Sequence, residues 1–478
     1  MDERPIWQWS AVETAAATTS GAVSCEEVMA AHVARLDAAN PALNAVVVDM
    51  TGQALEAARA ADRAKARGEA PGPLHGVPVT IKINVDVEGQ ANSNGAVPLA
   101  GNIAPGDAPV TANLRAAGAI VIGLTNTPEY SFRVCTDNAL HGLTLNPWDA
   151  AVTAGGSSGG AGASVAAGIG CIAHGNDIGG SLRWPAHCNG VSTIKPTLGR
   201  IPAFNPSAPA ERPMMAQLMS VQGPLAREVA DVRLGLEVMA RRDVRDPWWV
   251  PAPLEPAGAG GPCKVALARV PADMDPDPEV MAMIRQAAGW LADAGYEVAE
   301  VEVPDLSATW KLWADLITTE IAALQAERML AGASPDFARA LDGFLRMATI
   351  LDGEGYMRAL AHRARVLRDW LAFLEVYPVI LTPMSVKRAL PVNGDLADDD
   401  AVRRILGDDL RFSSALSVTG LPAAVTPIGL LDGHPLGVQL IGSRYREDRC
   451  LDAAAAIEAR VGVLTQQLWA REGRSAPA

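Results

Sequence analysis

Near the start of the chain, Val28, Met29, His32, Val33 and Leu36 recur at the three- and four-residue spacing of one helix face. Ser24 just before them is a capping residue, and Glu26 and Glu27 form an acidic first turn, so a helix is expected to begin there. A second, alanine-rich helix is expected from about Gln53 to Lys65. The pattern then changes. Gly76 to Asn84 is short, β-branched and bounded by turn formers, which predicts a strand, and Ala119 to Leu124 predicts another. Val110 to Ala117 between them has helical spacing, and strand–helix–strand is the signature of an α/β architecture. Small residues from Gly162 to Gly168 suit a helix packed closely against its neighbours, followed by a strand from Ile169 to Ala173. Met281 to Glu375 reads as mainly helical, and Val376 to Leu381 and Val438 to Gly442 read as late strands.

Between these halves, Arg242 to Pro262 contains Asp246-Pro247-Trp248-Trp249 and Gly258-Ala259-Gly260-Gly261-Pro262. This predicts a surface connection between two halves of one body, not a domain boundary. By length, 478 residues would suit about three domains of ordinary size. The pattern shows no internal repeat and no low-complexity tail.

Composition narrows the function. Apolar residues make up 49%, enough for a large core, and the formal net charge is −14. That charge argues against general affinity for nucleic acid or anionic membrane, both of which call for a positive field. Met1-Asp2-Glu3-Arg4-Pro5-Ile6 lacks a basic region followed by an apolar run, so no secretory signal is expected there. No apolar stretch is long enough to span a bilayer. Cys25, Cys135, Cys171, Cys188, Cys263 and Cys450 are scattered without a C-x-x-C pair, which suggests free thiols in a reducing cytoplasm. The seven histidines show no ligand spacing, and no metal is implied.

Two glycine–serine segments carry the candidate chemistry: Gly155-Gly156-Ser157-Ser158-Gly159-Gly160 and Gly179-Gly180-Ser181. Glycine lets a ligand approach the main chain closely. A serine hydroxyl beside exposed N–H groups is what acyl transfer needs, since the hydroxyl attacks a carbonyl and the amides hold the oxyanion. Ile178 to Ser181 offers up to four consecutive N–H groups, flanked by Asp177 and Arg183, which either clamp the loop or sit as solvated surface charges. Lys82 lies in an apolar strand between Ile81 and Ile83. If buried, it would be neutral and able to accept a proton; otherwise it is a strand lysine facing solvent.

Rival readings of the first loop are a flexible linker, a phosphate cradle and a nucleophile elbow. The linker conflicts with the ordered, apolar segment that follows, and the cradle lacks the Gly-Lys-Ser/Thr ending. The elbow would centre on Ser158 with a later histidine such as His434, but turn-like Asn146-Pro147-Trp148-Asp149 precedes it instead of a strand.

Taken together, these residues resemble the amidase signature hydrolases. The resemblance spans most of the chain and is densest from His75 to Arg200. It is carried by Gly76-Val77-Pro78 leading to Lys82, by Ala117 to Gly123 with Thr125-Asn126-Thr127-Pro128-Glu129, and by Asn146-Pro147-Trp148. The Gly155–Gly160 loop and Asp177-Ile178-Gly179-Gly180-Ser181-Leu182-Arg183 follow in order. Lys195 to Arg200, Gly223 to Arg227, Gly420-Leu421-Pro422 and Leu436 to Gly442 add to it.

The resemblance implies a single α/β domain over residues 1–478, with a large mixed central sheet flanked by helices and a catalytic core at about 70–230. It makes Ser181 the nucleophile, Ser157 a bridging serine on a cis peptide bond, and Lys82 the base. The N–H groups of Ile178, Gly179, Gly180 and Ser181 become the oxyanion hole. Met214, Met215, Met219, Trp310 and Trp313 fall in segments that border the acyl site in the family, which suggests an aryl or other apolar substrate group; the alternative is that they are core. The implied activity is hydrolysis of a small carboxamide without a cofactor, extending by the same oxyanion logic to esters or carbamates. The implied partner is the small-molecule substrate; a homodimer is common among relatives. The main rival is a glutamine-hydrolysing subunit of a tRNA-dependent amidotransferase complex. Two departures bear on that choice. The family usually has aspartate after the lysine, where this chain has Ile83-Asn84, and threonine before the loop aspartate, where it has Asn176.

Overall fold

The computed structural model describes residues 4–256 and 260–475. The first three residues of the N-terminal segment considered above lie outside the described residues, as do Gly258 and Ala259 of the connection. Among the described residues, eleven strands form one sheet. In chain order they are β1 (Val46–Asp49), β2 (Pro78–Lys82), β3 (Ile120–Thr125), β4 (Ile172–Asp177), β5 (Ser192–Lys195) and β6 (Val221–Ala226). Then come β7 (Lys264–Ala268), β8 (Glu297–Val301), β9 (Val379–Pro383), β10 (Ala423–Leu431) and β11 (His434–Gly442). Across the sheet they run β1-β3-β2-β4-β6-β5-β10-β11-β9-β7-β8. The β3-β2-β4 and β9-β7-β8 groups are parallel, and the remaining neighbours are antiparallel. Helices cover both faces, giving the mixed α/β fold that the strand–helix–strand pattern predicts. Among the described residues no helix is long and apolar enough to cross a membrane.

Local chemistry sets the elements that matter for the site. The helix Cys25–Leu43 starts on a capping box in which Ser24 accepts from the Glu27 N–H and Glu27 answers the Ser24 N–H. The helix Pro109–Ala116 crosses between parallel β2 and β3, as a βαβ unit requires. The helix Gly159–Ala166 is buried along its whole length. It can lie that deep because of its glycines. A Cβ on Gly160 would stand 2.5 Å from the Asn126 backbone nitrogen.

The strand expected at Ile169–Ala173 starts later, at Ile172, and runs on to Asp177. Gly168 and Gly170 take positive φ, which breaks the extended run before it. The segment expected to be mainly helical contains β8, an edge strand whose polar residues face solvent.

Candidate active site

The carboxyl ends of β2 and β4, neighbouring parallel strands, carry Lys82 and the Asn176-Asp177 pair, the usual place for a ligand in such a sheet. Lys82 is fully buried, with Nζ 2.7 Å from Ser157 Oγ and 2.8 Å from Asn176 Oδ1. Burial pushes its pKa well below the ordinary lysine value, while the Asp177 charge acts in the opposite sense. Asn176 is oriented in turn by Asn84. Its Nδ2 donates to Asn84 Oδ1 at 2.9 Å, which leaves Oδ1 facing the lysine. Asn84 Nδ2 donates to Ser131 Oγ at 2.9 Å.

Ser157 follows a cis peptide bond from Gly156. Its carbonyl accepts from Thr127 Oγ1 at 2.9 Å, and Thr136 Oγ1 donates to the Gly155 carbonyl at 2.8 Å. The neighbouring Ser158 is fully buried and spends its hydroxyl on the Asn176 carbonyl at 3.3 Å, while His434 pairs with Asp149 at 2.9 Å. That geometry removes the elbow reading.

The second loop approaches the first through the Ser158 N–H, which donates to the Ser181 carbonyl at 3.3 Å. Asp177 shapes it from beneath, accepting from the N–H groups of Gly180 at 2.9 Å and Leu182 at 3.1 Å. Arg183 grips the same carboxylate through Nε at 3.0 Å and Nη2 at 2.8 Å. Both partners are fully buried, so the two residues are a clamp and not solvated charges. Burial works against the Asp177 charge, yet Arg183 and the surrounding donors hold its pKa down at about 2. Arg183 also donates to the Ser413 carbonyl at 2.9 Å and to Gln439 Oε1 at 2.6 Å. Gly180 has φ +121, and a Cβ there would stand 2.5 Å from Ser413 Oγ. Of the four N–H groups expected to hold an oxyanion, that of Gly180 is thus already engaged. Those of Ile178, Gly179 and Ser181 have no partner among the described residues.

Two chambers meet at Ser181. The larger, about 460 Å³, is lined near the loops by Asn84, Ser131, Ser157, Asn176 and Gln222. The smaller, about 70 Å³, is walled by Phe132, Trp184, Trp313, Ile317, Phe344 and Leu410, with Gly179 and Gly180. Its rings are braced edge to face, with Trp313 and Phe344 centroids 6.2 Å apart. Trp313 Nε1 also donates to the Ile178 carbonyl at 2.9 Å.

Of the five pocket residues suggested by the sequence, Trp313 lines a chamber at Ser181. Met214, Met215, Met219 and Trp310 line neither. Helical phase explains this. On Met214–Met219 and its flanks, Pro213, Ala216 and Ser220 face the larger chamber, while Met215 and Met219 point into the core and Met214 is exposed. Trp310 lies one turn before Trp313 and packs over Gly407. The aromatic residues that sequence reasoning missed, Phe132, Trp184 and Phe344, come from three distant segments with no shared motif.

The amidase family model matches residues 27–451, and the chain belongs to the amidase family. It is an amide hydrolase. It is 60% identical to the indoleacetamide hydrolase of Bradyrhizobium diazoefficiens over 97% of this chain and 89% of that protein. It is 32% identical to a subunit of the glutamyl-tRNA(Gln) amidotransferase of Moorella thermoacetica, covering 91% of this chain and 93% of that one. Among solved structures, a bacterial aryl acylamidase of the amidase signature family superposes with a TM-score of 0.83 at 26% identity, covering 99% of this chain and 100% of that one.

Proposed function

We propose that this enzyme hydrolyses a small carboxamide bearing an aryl group, with Ser181 as nucleophile, Ser157 as proton bridge and Lys82 as base. The observation that carries the reading is a fully buried lysine 2.7 Å from the Oγ of Ser157, which lines the same cavity as Ser181. Neutral Lys82 accepts the Ser157 proton, and Ser157 accepts that of Ser181 as Ser181 Oγ bonds to the carbonyl carbon. The free N–H groups of Ile178, Gly179 and Ser181 receive the oxyanion. The proton returns through Ser157 to the nitrogen, so the leaving group departs as neutral ammonia and not as an amide anion. Water then cleaves the acyl-enzyme by the same relay.

The aromatic chamber takes the acyl group. Its 70 Å³ is room for roughly five water-sized groups, close to the size of one six-membered ring, and Ser181 opens it to the larger chamber. The Bradyrhizobium relative makes indoleacetamide the first substrate to try. The reading takes residues 1–478 as one catalytic domain, supported by a sheet that draws strands from Val46 to Gly442. It places the activity in the cytoplasm and calls for no cofactor and no partner protein.

The test is a panel of indoleacetamide, phenylacetamide, glutamine and asparagine, with Ser181→Ala as control. The arylacetamides are expected to be the best substrates, and Ser181→Ala to lose on the order of 10⁴-fold or more in kcat. Preference for glutamine, or an acyl group trapped on Ser158, overturns the reading.

A further inference from the structure

The two chambers at Ser181 differ in chemistry, and the path of the proton says which half of a substrate each receives. Ser157 must hand its proton to the leaving nitrogen, so that nitrogen faces Ser157. Ser157 lines the 460 Å³ chamber and is not among the residues walling the aromatic one. The amine half of the substrate therefore belongs in the larger chamber. Ammonia, the amine half of a primary amide, takes only the place of one water, about 10–15 Å³ of such a cavity. Most of the chamber is left for something else.

Its lining says what that is. Asn92, Asn94, Asn102, Asn205 and Ser207 give it a polar wall, braced by hydrogen bonds to Asp86, Ser131, Asn84 and one another. Three charged side chains face it: Glu320, Arg328 and Arg212. Glu320 is committed, because Tyr356 donates to Oε1 at 2.5 Å and the Met215 N–H to Oε2 at 2.7 Å. Arg328 is exposed. Arg212 is half-buried, on the wall shared with a neighbouring cavity, and its guanidinium has no hydrogen bond or ion pair among the described residues. Asp246 and Glu211 act on it only at longer range, and burial lowers its pKa. Asp246 spends its oxygens on the N–H groups of Ala203 at 2.7 Å and Trp248 at 2.8 Å. An arginine stays charged in any such setting. A partly desolvated guanidinium with no partner is matched by a carboxylate, which it can bind through two hydrogen bonds.

We infer that the enzyme also hydrolyses secondary amides whose amine half carries a carboxylate, of the N-arylacyl amino acid class, with Arg212 binding that carboxylate. This rests on the roles proposed for Ser181 and Ser157. Ser181 Oγ bonds to the carbonyl carbon, and the C–N bond breaks with its electron pair and the Ser157 proton going to nitrogen. The free amino acid leaves, and water then releases the arylacyl group as its acid.

The experiment compares five probes on the purified full chain: phenylacetamide, N-phenylacetyl derivatives of glycine, β-alanine and 4-aminobutyrate, and N-ethyl phenylacetamide. Amine release is followed for each. At least one carboxylated probe is expected to exceed the uncharged N-ethyl amide by about tenfold in kcat/KM. Arg212→Gln is expected to bring that ratio close to one, and Arg212→Lys to keep part of it. Thermal melts of both variants check that they fold. Turnover of phenylacetamide without any preference for a carboxylated probe overturns this inference and leaves the proposed function standing. A preference that Arg212→Gln does not change removes Arg212. Turnover of none of the five overturns both.

Discussion

Replacing Asn176 by aspartate tests the proposed proton relay at its most sensitive point. Asn176 Oδ1 stands 2.8 Å from Lys82 Nζ, and aspartate has nearly the same shape, so the change swaps a neutral acceptor for an anion in place. At an effective dielectric constant of about 20, unit charges at that 2.8 Å separation attract by roughly 6 kcal/mol. The Asn84 amide, which also donates to Asn176 Oδ1 at 3.3 Å, screens the new charge, and about half of this is expected to reach the lysine. The remaining ~3 kcal/mol raises the Lys82 pKa by about two pH units. The sign follows from the mechanism. Only neutral lysine accepts a proton, so activity rises with pH through the Lys82 pKa, and a higher pKa moves that rise to higher pH. The profile of kcat/KM against pH for an arylacetamide is expected to move its acid limb up by about two units, with a loss of about 100-fold on the steep part of the limb. Asn176→Ala separates charge from orientation. It removes the acceptor and adds no anion, so it should lower the rate at every pH without moving the limb upward. An aspartate variant that folds and keeps the wild-type limb refutes Lys82 as the base.

Asp177→Asn leaves Arg183 buried without its anion, and a loss of about 3–5 kcal/mol in unfolding free energy is expected from denaturant titration. Because the Asp177 pKa is depressed from 3.8 to about 2, its stabilisation is present above about pH 4 and fades as pH falls through 2. The gap between wild type and variant should therefore narrow by about 2 kcal/mol over that range, and a gap constant down to pH 2 counts against the clamp. Trp313→Phe keeps a ring but loses the hydrogen bond to the Ile178 carbonyl, for which a cost of about 1 kcal/mol is expected in thermal melts. Its kcat/KM should fall more for indoleacetamide than for acetamide, and equal losses would separate Trp313 from the acyl chamber.

The sequence is most readable where backbone requirements are strict. Lys82, Ser157 and Ser181 lie in segments whose glycines permit positive φ or close approach, so composition marks them. The departures at Asn84 and Asn176 are visible too, although only the folded chain shows that the two amides join at the lysine. Shape is harder to read. Met215 and Met219 have the right residue type for a pocket, but helical phase turns them into the core. Phe132, Trp184 and Phe344 are brought together only by the packing of separate segments. Strands escape notice where their residues disguise them. Gly223-Pro224 inside β6 looks like a turn, and β8 has too little apolar alternation to stand out from the surrounding helices.

Arg183 reaches carbonyl and amide oxygens that lie 230 and 256 residues further along the chain. On the ribosome, at about 5–20 residues per second, that separation is roughly 10–50 s of synthesis. During that interval the growing chain has Lys82, Ser157, Ser181 and the Asp177–Arg183 pair, but not the Ser413 and Gln439 oxygens that fix Arg183 in the finished fold. On the proposed mechanism, hydrolytic competence is in this sense a late arrival, complete only once the last strand of the sheet has been made.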